Sequence, residues 1–254
     1  LPLLRAEGFV LKAYPLGEAD KIVTILTREE GKIRGVAKSA RKSRRRFGSS
    51  LEPWSRVSLT YFEKEVSELG RLDACDLLES AYRLHEDLDT AWLLAYMAEV
   101  ADLFSRDRQA EPHYYRLLGS LLGALREGLS RHAARRYFEV WTLKLHGLLP
   151  DLSRCADCEA SLGREGLILD LPSGSVLCRR CGSEESPSRI ALRYEGRMVL
   201  GSILREHPAV LAGKKLSSPG LDEVGRLTTA ALLSFVGAPF KSARFLKVAE
   251  EAAS

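Results

Sequence analysis

The chain has 254 residues, 45% apolar and 28% charged, with a formal net charge of +4 and five cysteines. That balance suits a globular, soluble protein able to bury a core, built as one large domain or two smaller ones. No apolar run approaches the roughly 18 residues of a membrane span, and Arg5, Glu7 and Lys12 fall too early for a signal-peptide apolar region. The first residue is Leu, not Met, so an initiator or short leader is expected upstream.

The modest net charge hides a polarised chain. Residues 1–60 carry thirteen basic and six acidic side chains; the rest carry 25 and 28. The excess centres on Lys38–Phe47, KSARKSRRRF, where six of ten residues are Lys or Arg and none is acidic. Such a run repels itself, and a polyanion relieves it. A solvated loop or a sorting signal is the plain alternative. The run lies between strand-like segments, not on a tail, which favours a nucleic-acid contact.

Residues 1–76 read as β structure. Strands are expected at Gly8–Tyr14, Lys21–Thr27, Lys32–Ala37, Arg56–Phe62 and Ser67–Asp73, with turns at Pro15–Gly17 and Arg28–Gly31. Five short strands fit a small closed barrel, and the basic run suggests an OB-fold that binds single strands, although periodicity leaves an SH3-like barrel open. Phe47, Trp54, Tyr61 and Phe62 flank the run. Phe47 is the expected stacking residue, whereas Tyr61 and Phe62 read as core or half-buried.

From Leu77 the period becomes helical: Leu77, Ala81, Leu84, Leu88, Ala91, Ala95 and Ala98 mark a helix to about Ser105. Pro112 opens a second, ended by Gly128, and Arg131–His146 is a third, stopped by Gly147 and Pro150. The stripes read most simply as core, and one of them could line a groove for a partner peptide. Further helices are expected at Ala191–Glu206, from Ser218-Pro219 to about Val236, and at Lys241–Ala252.

The most specific pattern is Cys155-Ala-Asp-Cys158 with Cys178-Arg-Arg-Cys181. Two CxxC pairs at this separation match a four-cysteine zinc site, closed and therefore structural. Pro172-Ser173-Gly174 fits a hairpin turn between the knuckles. Two disulfides or a redox motif are the rivals, but no export signal and no βαβ pattern accompany the cysteines. Cys75 reads as a small core hydrophobe. The domains are then 1–76, 77–150, 151–186 and 187–254, the cysteine module being inserted in the helical part. The class is α+β and multi-domain. The five histidines are scattered, no carboxylate cluster suits catalytic metal, and GxxxxGK[ST] is absent, so a non-enzyme is expected.

In GEADKIVTILTREEGKIRGVAKSARKSRRRFG, FEVWTLKLHGLLPDLSRCADC, SGSVLCRRC and FKSARFL, in that order, the chain resembles the RecO family of bacterial recombination mediators. The resemblance spans nearly the whole chain, with one departure at Glu159, where a Gly often follows the first CxxC. It implies an OB-fold, a mainly helical C-terminal domain and a zinc module. It also implies binding of single- and double-stranded DNA, strand annealing, and a cytoplasmic, nucleoid-associated place. The implied partners are RecR and the acidic tail of the single-stranded DNA-binding protein, helping RecA displace that protein. Expected DNA contacts are Lys32, Arg34, Lys38, Arg41, Lys42, Arg44, Arg45, Arg46 and Phe47; expected zinc ligands are Cys155, Cys158, Cys178 and Cys181. A zinc-ribbon transcription or translation factor is the alternative, distinguished by sequence- or structure-specific binding.

Overall fold

The computed structural model describes residues 3–42, 46–62, 69–163, 166–183, 186 and 188–246. The chain divides into two compact units, residues 1–116 with 240–254, and residues 117–239.

The first unit is built on a closed five-stranded barrel. β1 (Leu3–Leu16), β2 (Asp20–Thr27), β3 (Gly31–Ala37), β4 (Arg56–Phe62) and β5 (Gly70–Glu79) run in the order β1-β2-β3-β5-β4. The β3–β5 contact is parallel and β1 closes on β4. This is the OB-like choice between the two barrels the sequence allowed. Alternation is clean where it matters: Val57, Leu59 and Tyr61 of β4 point inward, joined in the core by Val10, Val23, Ile33 and Leu72. The β2–β3 turn needs its glycine. Gly31 has φ +68°, and a Cβ there would sit 1.9 Å from the Gln109 carbonyl oxygen.

The helix expected from Leu77 begins later. Leu77 pairs with Val57 and Glu79 with Arg56, so β5 runs on to Glu79. A short α1 (Tyr82–His85) follows, and α2 (Leu88–Phe104) starts only where Asp87 caps it, accepting the Thr90 N–H at 2.9 Å. The side of α2 that packs inward carries Leu93, Leu94, Met97, Val100 and Phe104. Leu88 is 60% exposed. Of the stripe read as core, Ala81, Leu84 and Ala98 are buried, whereas Leu77, Leu88 and Ala95 are exposed and Ala91 is half-buried. Trp54, fully buried, donates its indole N–H to the Leu94 carbonyl at 2.9 Å and ties the barrel to α2. The first turns of α3 (Pro112–Arg126) add Tyr115, whose ring lies 4.9 Å from Phe9 and whose hydroxyl donates to Glu7 at 2.8 Å.

In the second unit, α4 (Arg131–Leu145) packs against α5 (Tyr194–Arg205) and α7 (Ser218–Val236), with α6 (Pro208–Ala212) beside α5. Glu139 of α4 is wholly buried and is met by Arg135 at 3.0 Å, Arg136 at 2.9 Å and the Thr228 hydroxyl at 2.6 Å. Burial alone pushes its pKa up, but Arg136 and Arg135 outweigh burial and hold the carboxyl below its usual range. The chain segment from α4 to α5 forms a three-stranded sheet in the order β7-β6-β8: β6 (Leu167–Asp170), β7 (Ser175–Leu177) and β8 (Arg189–Leu192). β8 takes up Ala191, which the sequence reading gave to a helix, and α5 starts after it.

Candidate nucleic-acid interface and metal centre

The basic run leaves β3 at Ala37 and is tied down along its described length. The Ser39 N–H donates to Asp20 at 2.7 Å, and the Arg41 N–H donates to the Ala19 carbonyl at 3.0 Å. The Arg41 guanidinium donates to the Glu18 carbonyl at 3.2 Å, so the loop lies on the β1–β2 turn. Arg46 Nη2 closes it from the far end, donating to the Lys38 carbonyl at 2.6 Å. Lys38, Arg41 and Lys42 are exposed and Arg46 is half-buried. Arg44 and Arg45 lie outside the described residues.

Three aromatic or basic expectations change. Phe47 is 2% exposed and belongs to the barrel core, with the Arg46 guanidinium 5.1 Å from its ring centre. It is a plug that anchors the loop, not a surface on which a base can stack. Trp54 is likewise core. Lys32 is 5% exposed; its Nζ donates to the Asp102 carbonyl at 2.5 Å and pairs with the Asp102 and Asp107 carboxylates at 3.2 and 3.5 Å. A buried ammonium needs this pairing, and it withdraws Lys32 from any phosphate. Asp102 also pairs with Lys12 at 2.8 Å and Arg34 at 3.5 Å. Burial alone would raise its pKa, but Lys12 and Lys32 outweigh burial and hold it below the carboxylate range. Arg34 keeps 39% of its side chain exposed. Arg71 is an exposed cation missed from sequence, brought beside Val36 by the parallel β3–β5 register. No local signal could have found it.

A groove of about 870 Å³ opens in the same unit. Leu11, Ala91, Ala95, Leu103 and Phe245 make it apolar, and Lys241 and Arg244 stand at its rim. Segment 240–246 forms one wall. It is held by Glu99, which accepts the Lys241 N–H at 2.9 Å and the Ser242 N–H and hydroxyl at 2.8 and 2.5 Å. Burial opposes ionisation of Glu99, yet the Ser242 and Lys241 bonds outweigh it and lower the pKa.

The four cysteines converge as the spacing predicts. Their sulfurs all lie within 4.8 Å of one another, with Cys158 and Cys178 3.8 Å apart. Tetrahedral zinc with Zn–S bonds of about 2.3 Å places neighbouring sulfurs about 3.8 Å apart, whereas a disulfide needs about 2.05 Å. Each CxxC is a tight turn: Glu159 N–H donates to the Cys155 carbonyl at 3.0 Å, and Gly182 N–H to the Cys178 carbonyl at 2.9 Å. The β6–β7 hairpin, turning through Leu171–Gly174, brings the turns together, and Ala156 N–H donates to the Val176 carbonyl at 2.8 Å. Backbone N–H groups of Cys158 and Cys178 aimed at its sulfur pull Cys155 down to about 6, while side-chain hydrogen bonds to Cys158 and Cys178 push Cys181 up to about 12. Four thiols held this close form a donor set a soft cation would complete. Arg197 of α5 secures the module, donating to the carbonyls of Leu152 at 3.2 Å and Leu162 at 2.9 Å. Cys75 is buried, and burial pushes its thiol up to about 11.

Residues 2–81 match the family described as "Recombination protein O N terminal", and residues 85–244 that described as "Recombination protein O C terminal". Among curated relatives, the "DNA repair protein RecO" of Koribacter versatilis is 39% identical over 203 residues, 80% of this chain and 81% of its own. The protein of that name from Anaeromyxobacter dehalogenans strain 2CP-C is 35% identical over 96% of this chain and 95% of its own. That from Geobacter metallireducens is 34% identical over 97% and 98%.

Proposed function

The chain belongs to the RecO family of DNA repair proteins, and from that premise we propose that it is a recombination mediator without catalytic chemistry of its own. It binds single- and double-stranded DNA, anneals complementary strands and, with RecR, helps load RecA onto DNA coated by single-stranded DNA-binding protein. The observation that carries this reading is the basic loop mounted on an OB-like barrel, with Lys38, Arg41 and Lys42 turned to solvent and the backbone pinned beneath them. Fixed cations neutralise phosphates without reading bases, and two strands so neutralised repel each other less. Arg34, Arg46 and Arg71 extend the set; Arg44 and Arg45 are assigned to it from the sequence alone.

The donor set fits one structural zinc held by Cys155, Cys158, Cys178 and Cys181, which when bound supplies rigidity and no reactive position. The groove beside α2 fits the tail of the single-stranded DNA-binding protein, taken as an acidic peptide with an apolar end. Ala91, Ala95 and Phe245 would take its apolar end, and Lys241 and Arg244 its carboxylates.

The test is annealing of complementary single strands, bare and coated with the single-stranded DNA-binding protein, by the purified chain. Faster annealing on both is expected. No acceleration on either would overturn the reading.

A further inference from the structure

One cross-strand row on the outside of the barrel has only its cation, Arg71, among the DNA contacts assigned above. In register, Tyr14 pairs with Ile22, Ile22 with Val36, Val36 with Arg71, Arg71 with Phe62 and Phe62 with Leu3. Residues paired in this way share a face of the sheet. Their chain neighbours Val23, Ala37, Tyr61 and Leu72 fill the core, so the row faces out. Tyr14 is 56% and Leu3 52% exposed, Arg71 is exposed, and Ile22, Val36 and Phe62 are half-buried. Outward positions on a half-solvated sheet are ordinarily polar. Here five of six are apolar, two of them aromatic.

The surroundings say what this surface suits. Val36 is two residues from Lys38, where the basic loop begins, and two from Arg34 on the same side of β3. Arg71 stands within the row itself. An apolar, partly aromatic strip threaded with cations matches a polymer with flat apolar faces and a charged backbone. Adjacent strands lie about 4.8 Å apart, so the row from Tyr14 through Val36 to Phe62 runs about 19 Å around the barrel and spans several bases.

We propose that this row is the platform on which the bases of single-stranded DNA lie, while Arg71 and the loop cations hold the phosphates. The proposal rests on the DNA-binding reading above and gives the stacking role, expected of Phe47, to Tyr14 and Phe62. A duplex keeps its base faces stacked inside, so the platform acts on single strands alone and gives the protein a preference that phosphate contacts cannot supply.

The experiment compares Phe62→Ala, Tyr14→Ala and the parent at one ionic strength on three probes of equal length: oligothymidylate, an abasic deoxyribose-phosphate oligomer and a duplex. Each variant should lose roughly 5- to 150-fold on oligothymidylate, the range that stacking on one base supports. Binding to the other two probes, and the salt dependence, should match the parent. Tyr14→Phe should restore binding. Tyr14 also borders the groove, so Phe62 is the independent witness; if Phe62→Ala unfolds, Phe62→Leu removes the ring and keeps the packing. Parental affinity for oligothymidylate in the variants, or an equal loss on the abasic oligomer, overturns the platform. A parent that binds none of the probes overturns the DNA reading itself, and the platform with it.

Discussion

The barrel and the cysteine module are both small β structures, yet they achieve rigidity by different means. The barrel closes its hydrogen bonding through all five strands and fills itself with Val10, Val23, Ile33, Val57, Leu59 and Leu72, each 1% exposed or less. That apolar filling holds it from within, and exposed cations such as Lys38, Arg41, Lys42 and Arg71 stand on its outside. The module has strands of three or four residues and, among the described residues, a small buried set of Leu162, Leu167, Ile168, Leu169, Val176 and Leu177. A core of that size does not hold a fold alone, and an ion held by the four sulfurs, all within 4.8 Å of one another, would supply what it lacks. Removing one kind of interaction should accordingly disable one region and spare the other.

The largest effect should come from the metal. Structural zinc contributes on the order of 10–16 kcal/mol of apparent binding energy in small modules. Cys181→Ser, or a strong chelator, should release one equivalent of zinc and open residues 151–186 to protease, with the barrel still resistant. Metal analysis with limited proteolysis checks this, and an intact module without metal would collapse the contrast.

Next is the salt dependence of DNA binding. If all six cations of the run meet phosphates, the log–log slope for single strands should be about −4, a loss of roughly 300-fold between about 50 and 200 mM salt. Changing Lys38, Arg41 and Lys42 together to Glu should flatten the slope by about 2 and slow annealing. Thermal stability and zinc content should hold. A salt titration by anisotropy decides it.

Lys32→Met sharpens the contrast inside the barrel. Removing one partner of a buried pair costs about 3 kcal/mol, and Asp102 and Asp107 would lose their shared cation. Denaturant unfolding should register that loss, while the salt slope stays parental. A flatter slope with unchanged stability would return Lys32 to the DNA contacts.

The smallest effect concerns the first knuckle. Glu159 has φ +57°, a left-handed conformation that suits glycine. Glu159→Gly should therefore stabilise the metal-bound module by about 1 kcal/mol, visible as slower zinc release to a chelator.

The two regions also differ in how much of them could be read from sequence. The four-cysteine cluster was legible because its geometry is local. Each CxxC makes its own turn, and a hairpin signalled by Pro172-Ser173-Gly174 joins them. The strands of the barrel were legible for the same reason, since alternation is a property of neighbours. What faces what was not. Phe47 ends a polar loop in sequence but is drawn inward with Leu51 and Cys75. Lys32 looks like any strand cation until Asp102, seventy residues later, arrives beside it. The helical spacing from Leu77 starts too early, because pairing with Val57 outweighs periodicity there and Asp87 sets the true start of α2, although Ala81, Leu84 and Ala98 are buried as the spacing requires. Arg71 and the outer row depend on β3–β5 pairing across some 35 residues, which no short window contains.

The anchoring of segment 240–246 on Glu99 bears on the life of the chain at the ribosome. Its partners Lys241 and Ser242 are made 142 and 143 residues after Glu99. At about 5–20 residues per second, that interval is roughly 7–30 s. A nascent chain thus owns a complete barrel and basic loop well before its groove has a second wall. A message cut short after the barrel would encode the basic loop without the groove, and on the function proposed above such a product should compete for DNA while offering no site for the peptide.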